Sequence, residues 1–150
     1  AHCDAFYIGG TKCGALCGEA VVFPRGGAPD RFFTRIKQHG ALLAKGRVTG
    51  VQFDALFTGG LYSRIGRHAD ALAMRLQEVF RRHGIGAGKP SVTNQQFFIL
   101  TDSRAEALGR HAAFEKWCPV APGKALCRFV TSWATTEEDI DRLNKLLETI

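Results

Sequence analysis

Hydrophobic spacing alone divides this chain into strand-like and helix-like stretches. Asp4-Ala5-Phe6-Tyr7-Ile8 predicts a short buried strand, stopped by Gly9 and Gly10. Residues 19–23 predict a second strand, ended by Pro24 and the turn-forming Arg25-Gly26-Gly27. The loop between them is rich in glycine and cysteine and carries Lys12. Asp30 is placed to cap a helix over residues 31–44, and Lys45-Gly46-Arg47 leads into an apolar stretch through Phe57. After Gly59-Gly60, the residues Ile65, Ala69, Leu72, Leu76, Val79 and Phe80 form one helical stripe of core positions. That long helix ends at His83-Gly84, with glycine at the C-terminal cap.

The rest of the chain alternates between the two periods. Residues 95–101 predict a strand, and Asp102 or Ser103 caps a helix to about residue 111. Residues 114–120 and 125–132 predict two further strands around the turn Pro122-Gly123-Lys124. Thr135 with Glu138 fits a capping box, followed by Ile140, Leu143, Leu147 and Ile150 on the buried face of a last helix. This order implies a small α+β sandwich, an antiparallel sheet with helices on one face. Gly59-Gly60 marks the boundary between a unit 1–60 and a unit 61–150.

The length of 150 residues suffices for a substantial core, and 45% apolar with 23% charged residues is a globular composition. Apolar runs such as Ala20-Val21-Val22-Phe23 are strand-length, far short of a membrane span. The opening Ala1-His2-Cys3-Asp4 has no basic segment followed by an apolar one, and with no initial methionine it reads as the middle of something larger. A net charge of +6 raises nucleic-acid binding. The basic residues are dispersed, however, and often neighbour acidic ones (Arg75 and Glu78, Arg142 and Glu138), while the aromatics sit in apolar strands. Neither a nucleic acid nor a membrane is the expected partner. The five cysteines are an odd number, and reduced thiols of a cytoplasmic protein are expected. Cys13 and Cys17 lack a second pair at zinc-ligand spacing, so no metal site is expected.

Lys12 is the residue with the most chemistry. It closes a strand, so its amine is aimed from a fixed element, and the flanking glycines let a planar ring approach the backbone. Thr11 offers a hydroxyl and a backbone N–H to a phosphate oxygen. A Schiff-base lysine needs a lowered pKa, which partial burial and a nearby cation supply. The run Asp4-Ala-Phe-Tyr-Ile-Gly-Gly-Thr-Lys-Cys-Gly-Ala-Leu16, with Gly18-Glu-Ala-Val-Val-Phe23, resembles the cofactor-lysine segment of the threonine aldolase and β-eliminating lyase family. Cys127-Arg-Phe-Val-Thr-Ser-Trp-Ala-Thr-Thr-Glu-Glu-Asp-Ile140 is similar to that family's C-terminal segment, and the order of segments between the two also agrees. The family consists of pyridoxal-phosphate enzymes with the aspartate aminotransferase-like fold. The resemblance implies that residues 1–60 are the end of the large-domain sheet, with the lysine loop and following helices. Residues 61–150 would be the small C-terminal α+β domain.

By the same resemblance, Lys12 holds pyridoxal 5'-phosphate as a Schiff base and Thr11 helps bind its phosphate. Arg128 forms a two-pronged salt bridge with the substrate's carboxylate; an arginine in an apolar strand (Leu126, Phe129, Val130) is costly if buried unpaired. Arg47 corresponds to an arginine near the cofactor phosphate, although Ala41-Leu42-Leu43-Ala44 stands where the family commonly has glycines. The family's N-terminal half, with the ring-nitrogen aspartate and a stacking aromatic, has no counterpart here. Asp4 lies at the far end of its strand from Lys12 and matches a structural position. None of the five histidines maps onto a catalytic position. The implied activity of the parent enzyme is Cα–Cβ cleavage of a β-hydroxy-α-amino acid to glycine and an aldehyde, in a homodimer or homotetramer. The isolated chain is expected to be inactive, with the catalytic base lying elsewhere. The alternatives are a β-eliminating lyase or aminotransferase, and a non-catalytic α+β association module.

Overall fold

Residues 2–150 are described by a computed structural model, and the chain falls into two units, one running to Arg64 and the other Ile65–Ile150. In the first unit, β1 (Phe6–Gly9) and β2 (Glu19–Val22) pair antiparallel with Phe6 opposite Val22 and Gly9 opposite Glu19. A single 3-10 turn, Thr11–Cys13, lies between them and is stopped by Gly14 in the left-handed conformation at φ 98°. A two-stranded sheet has no second strand layer for its outward residues, and β1 is accordingly not buried: Tyr7 is 71% exposed.

Helix α1 (Phe32–Gln38) is shorter than expected, and Asp30 does not cap it. The Phe32 N–H donates to the Pro29 carbonyl (3.0 Å), which makes a turn of Asp30 and Arg31 and leaves Arg31, at φ 58°, in the cap position. The helix stops at Gln38, before Gly40 at φ 67°. Helix α2 (Arg47–Phe57) forms from the stretch read only as apolar, and buries Phe53 and Leu56.

The second unit is built on α3 (Leu61–Arg82), inside which the division between the units falls, a few residues past Gly59-Gly60. The end of α3 is a Schellman arrangement. Gly84 at φ 71° donates to the Arg81 carbonyl (3.1 Å), and the buried Ile85 donates to Phe80 (2.9 Å). Four antiparallel strands follow: β3 (Ala87–Lys89), β4 (Gln95–Thr101), β5 (Glu115–Ala121) and β6 (Lys124–Val130), in the order β3-β4-β6-β5. β3 has no hydrophobic alternation to announce it. Its Gly88 is a packing requirement, since a Cβ there would lie 2.5 Å from Leu126 Cδ1.

Burial alternates along β4 and β6, sending Phe98, Leu100, Ala125, Cys127 and Phe129 to one face. That face is covered by Leu72, Leu76, Val79 and Phe80 of α3, Ala105 and Leu108 of α4 (Asp102–Gly109), and Ile140 and Leu147 of α5 (Glu137–Leu147). Phe80 stacks on Phe98 (3.9 Å between centroids), and Phe129 closes on Phe80 at 5.0 Å and Phe114 at 4.6 Å. Two buried polar residues find partners: Thr131 Oγ1 donates to Ala69 O (2.7 Å), and Gln96 Nε2 donates to Thr93 O (2.8 Å).

Both helix caps fall one residue from their expected places. Thr101, not Asp102 or Ser103, caps α4 by accepting from Arg104 N (3.3 Å). Thr136 and Asp139, not Thr135 and Glu138, form the capping box of α5. The cause is the preceding turn: Thr135 Oγ1 already accepts from Ser132 N (2.9 Å), so the helix begins one residue later. Charges pair between neighbours, but not always the ones expected. Arg75 bridges to Glu137 and Asp141, whereas Glu78 takes Arg81 and Arg82, whose hydrogen bonds hold its carboxyl down at about 2. No helix among the described residues is long and apolar enough to cross a membrane. Thr136→Ala should lower stability by about 1 kcal/mol, read as a reduced urea midpoint, while Glu138→Ala should move the midpoint much less.

Candidate active site

The lysine loop is seated on one face of α2. Gly10 N donates to Gly18 O (3.2 Å), and Cys13 N and Ala15 N both donate back to Gly10 O (2.9 and 3.0 Å), closing the loop on itself. Gly18, at φ 99°, packs against Thr49: a Cβ there would stand 2.4 Å from Thr49 Cγ2. At Gly10 a Cβ would stand 3.0 Å from Phe53 Cζ. Between these contacts Gln52 Oε1 accepts from Leu16 N (2.6 Å) and Cys17 N (3.4 Å), while its Nε2 donates to Val48 O (3.0 Å). Thr49, Gln52 and Phe53 share one helical face, so α2 grips the loop at several points at once.

Tyr62 adds a further tie, its hydroxyl donating to Gly9 O (3.4 Å) while its ring stacks on Phe57 at 5.2 Å. Burial, and then its hydrogen bond with the Cys13 thiol, push the Tyr62 pKa up. From this fixed turn Thr11 and Lys12 project into solvent. Lys12 is exposed. A Cβ at Gly9 or at Gly14 would meet nothing within 4 Å, so space is open on both sides of the turn. Asp4, exposed near the start of β1, pairs with Arg25 (3.3 Å). Arg47 is the first residue of α2, exposed, and belongs to the same unit as Lys12. Neither Gln52 nor Tyr62 stands out in the linear sequence as a loop-holding residue. For Gln52 the available signal is a polar residue inside the stripe Thr49, Phe53, Leu56.

Arg128 belongs to the second unit. On β6 it sits between Cys127 and Phe129, which face the core, so it lies on the opposite, open face of the sheet. It pairs in register with Phe97 on one side and Glu115 on the other. Its Nη2 bonds the Glu115 carboxylate, its Nη1 donates to Gln95 Oε1 (3.1 Å), and its guanidinium lies 4.7 Å from the Trp117 ring centroid. The Nε is buried without a hydrogen-bond partner. The alternation of β6 thus turns the arginine away from the core, and both of its Nη atoms are paired on the open face. Removing the clamp should show in the first unit: Gln52→Ala takes an acceptor worth about 1 kcal/mol from the loop amides. Amide exchange at Leu16 and Cys17 is then expected to speed up severalfold, with the second unit's core unchanged.

No protein-family model matches the chain. It is 30% identical over 148 residues to a low specificity L-threonine aldolase of Pseudomonas aeruginosa, covering 98% of this chain and 41% of that protein. A second low specificity L-threonine aldolase, of a Pseudomonas species, is 30% identical over 141 residues, with 93% and 40% covered. Among solved structures, a threonine aldolase of Leishmania major superposes with TM-score 0.89 at 35% identity, over 97% of this chain and 43% of that one. A serine palmitoyltransferase of Sphingomonas wittichii, 16% identical with TM-score 0.62, shares the fold. The chain therefore spans about two fifths of the length of the relatives it matches. In sequence and in fold, it is similar to threonine aldolases along nearly its whole length.

Proposed function

We propose that this chain is the part of a pyridoxal-phosphate lyase that carries the cofactor lysine and the substrate-carboxylate arginine. The enzyme would cleave the Cα–Cβ bond of a β-hydroxy-α-amino acid to give glycine and an aldehyde. The observation that carries the reading is the match to threonine aldolases along nearly the whole chain, in both sequence and structure. The residues present fit the cofactor: Lys12 offers a primary amine and Thr11 a hydroxyl on a clamped turn, with open space at Gly9 and Gly14 for a planar ring. When bound, pyridoxal phosphate supplies the electron sink that makes scission at Cα possible.

The remaining roles belong to the chain's own side chains. Lys12 Nζ is the primary amine that would hold the cofactor. Thr11, with Arg47 at the start of α2, binds the phosphate. The Arg128 guanidinium orients the substrate through its carboxylate, a planar match that a lysine cannot reproduce. The base that takes the proton from the β-hydroxyl and the partner of the ring nitrogen are assigned to no residue of this chain. The 150 residues alone are accordingly proposed to be inactive. Self-association into dimers or tetramers and a cytoplasmic location complete the reading, the latter supported by five free cysteines.

The test is product analysis with the full-length protein and threonine. Glycine and acetaldehyde are expected, and Lys12→Ala should abolish their formation. Ammonia and a keto acid in their place would show β-elimination or another reaction and overturn the aldolase reading.

A further inference from the structure

The guanidinium of Arg128 is held on three sides and incomplete on the fourth. The Trp117 ring lies against its face at 4.7 Å, Gln95 accepts from Nη1 at 3.1 Å, and the Glu115 carboxylate takes Nη2. The neighbouring Nε is buried and donates to nothing. A donor left without an acceptor in a buried position is costly, and a two-pronged carboxylate is the group that fits an arginine edge. A carboxylate that took both Nε and Nη2 would complete the donor set, but Nη2 is the atom that Glu115 already engages.

The two partners differ in how firmly they are held. Glu115 lies on β5, an edge strand whose residues are all exposed, and its side chain is 52% exposed against 28% for Arg128. An ion pair this open to water is worth little, and Glu115 is able to swing out while the arginine stays between Trp117 and Gln95. It also sits directly opposite Arg128 in the β5–β6 register, so the chain itself supplies a carboxylate at this guanidinium.

We propose that Glu115 is a built-in competitor for the substrate's carboxylate: it neutralises Arg128 in the free enzyme and is displaced from Nη2 when an amino acid binds. Glu115 thereby sets the affinity for the substrate without entering the chemistry. This inference rests on Arg128 being the carboxylate-binding residue, as read above. It implies that the enzyme binds its amino acid less tightly than its arginine permits. It also implies that the penalty falls on every α-carboxylate ligand alike, because Glu115 opposes only the carboxylate.

The experiment uses the full-length holoenzyme, with KM and kcat measured for threonine and an equilibrium titration with glycine. Glu115→Gln replaces a charge-assisted hydrogen bond with a neutral one at nearly constant shape. It should lower KM and the glycine dissociation constant roughly two- to fivefold, the scale of a half-exposed ion pair, and leave kcat within about twofold of the parent. Glu115→Ala should shift both constants in the same direction. An unchanged or raised KM in both variants overturns the competitor role. Arg128→Ala serves as the separate control and should weaken glycine binding strongly. If it leaves binding unchanged, the reading of Arg128 fails, and the role of Glu115 fails with it. If Arg128→Ala weakens binding and the Glu115 variants do not tighten it, only the competitor role is lost.

Discussion

Gly18 approaches Thr49 more closely than any side chain allows, and the geometry around Lys12 depends on that approach. A Cβ at Gly18 would overlap Thr49 Cγ2 at 2.4 Å, and the backbone there is left-handed as well, so glycine is required twice over. With the loop this near to α2, Gln52 reaches two loop amides from the helix and Phe53 fills the space beneath Gly10. A flexible glycine-rich loop thereby becomes a fixed platform. The amine of Lys12 is long and exposed, yet its Cα is set by hydrogen bonds within the loop and by the helix below it. The role proposed for Lys12 needs that combination: a rigid base and a free end.

The second unit solves a different problem, that of holding an arginine ready on a sheet. Period-2 alternation places Cys127 and Phe129 in a core of stacked phenylalanines and turns Arg128 to the open face. The core makes β6 rigid, and Thr131, fastened to the carbonyl of Ala69, anchors the chain just beyond that strand to α3. On the open face, the Trp117 ring and the Gln95 amide hold the guanidinium, and the Glu115 carboxylate pairs with it. The first unit thus positions the Lys12 amine through a loop clamp, and the second positions the Arg128 guanidinium through strand register.

Much of this is legible in the residues. The stripe from Ile65 to Phe80, the alternation in β4 and β6, and the glycine after α3 each follow from a strong periodic or steric rule, and the elements form where those rules place them. Lys12 and Arg128 stand out because an isolated cation in an apolar or glycine-rich setting demands a reason. What the linear sequence hides is decided by competition between neighbours. Thr135 and Thr136 offer equal hydroxyls, and the turn at Ser132 determines which is left for the helix. Asp30 has the chemistry of a cap, but the carbonyl of Pro29 claims the turn. β3 is three residues with no pattern of its own, formed because β4 offers an edge to pair with. Glu115, Gln95 and Trp117 become partners of Arg128 only through register, which no linear spacing reveals.

The role of the clamped loop turns on the identity of the covalent anchor. Borohydride reduction of the full-length holoenzyme fixes the cofactor to whichever lysine holds it, and peptide mass mapping then locates the added pyridoxyl group. The label is expected on the peptide containing Gly9-Gly10-Thr11-Lys12-Cys13, at Lys12. A label on another lysine, or no label on any, would contradict the role assigned to Lys12.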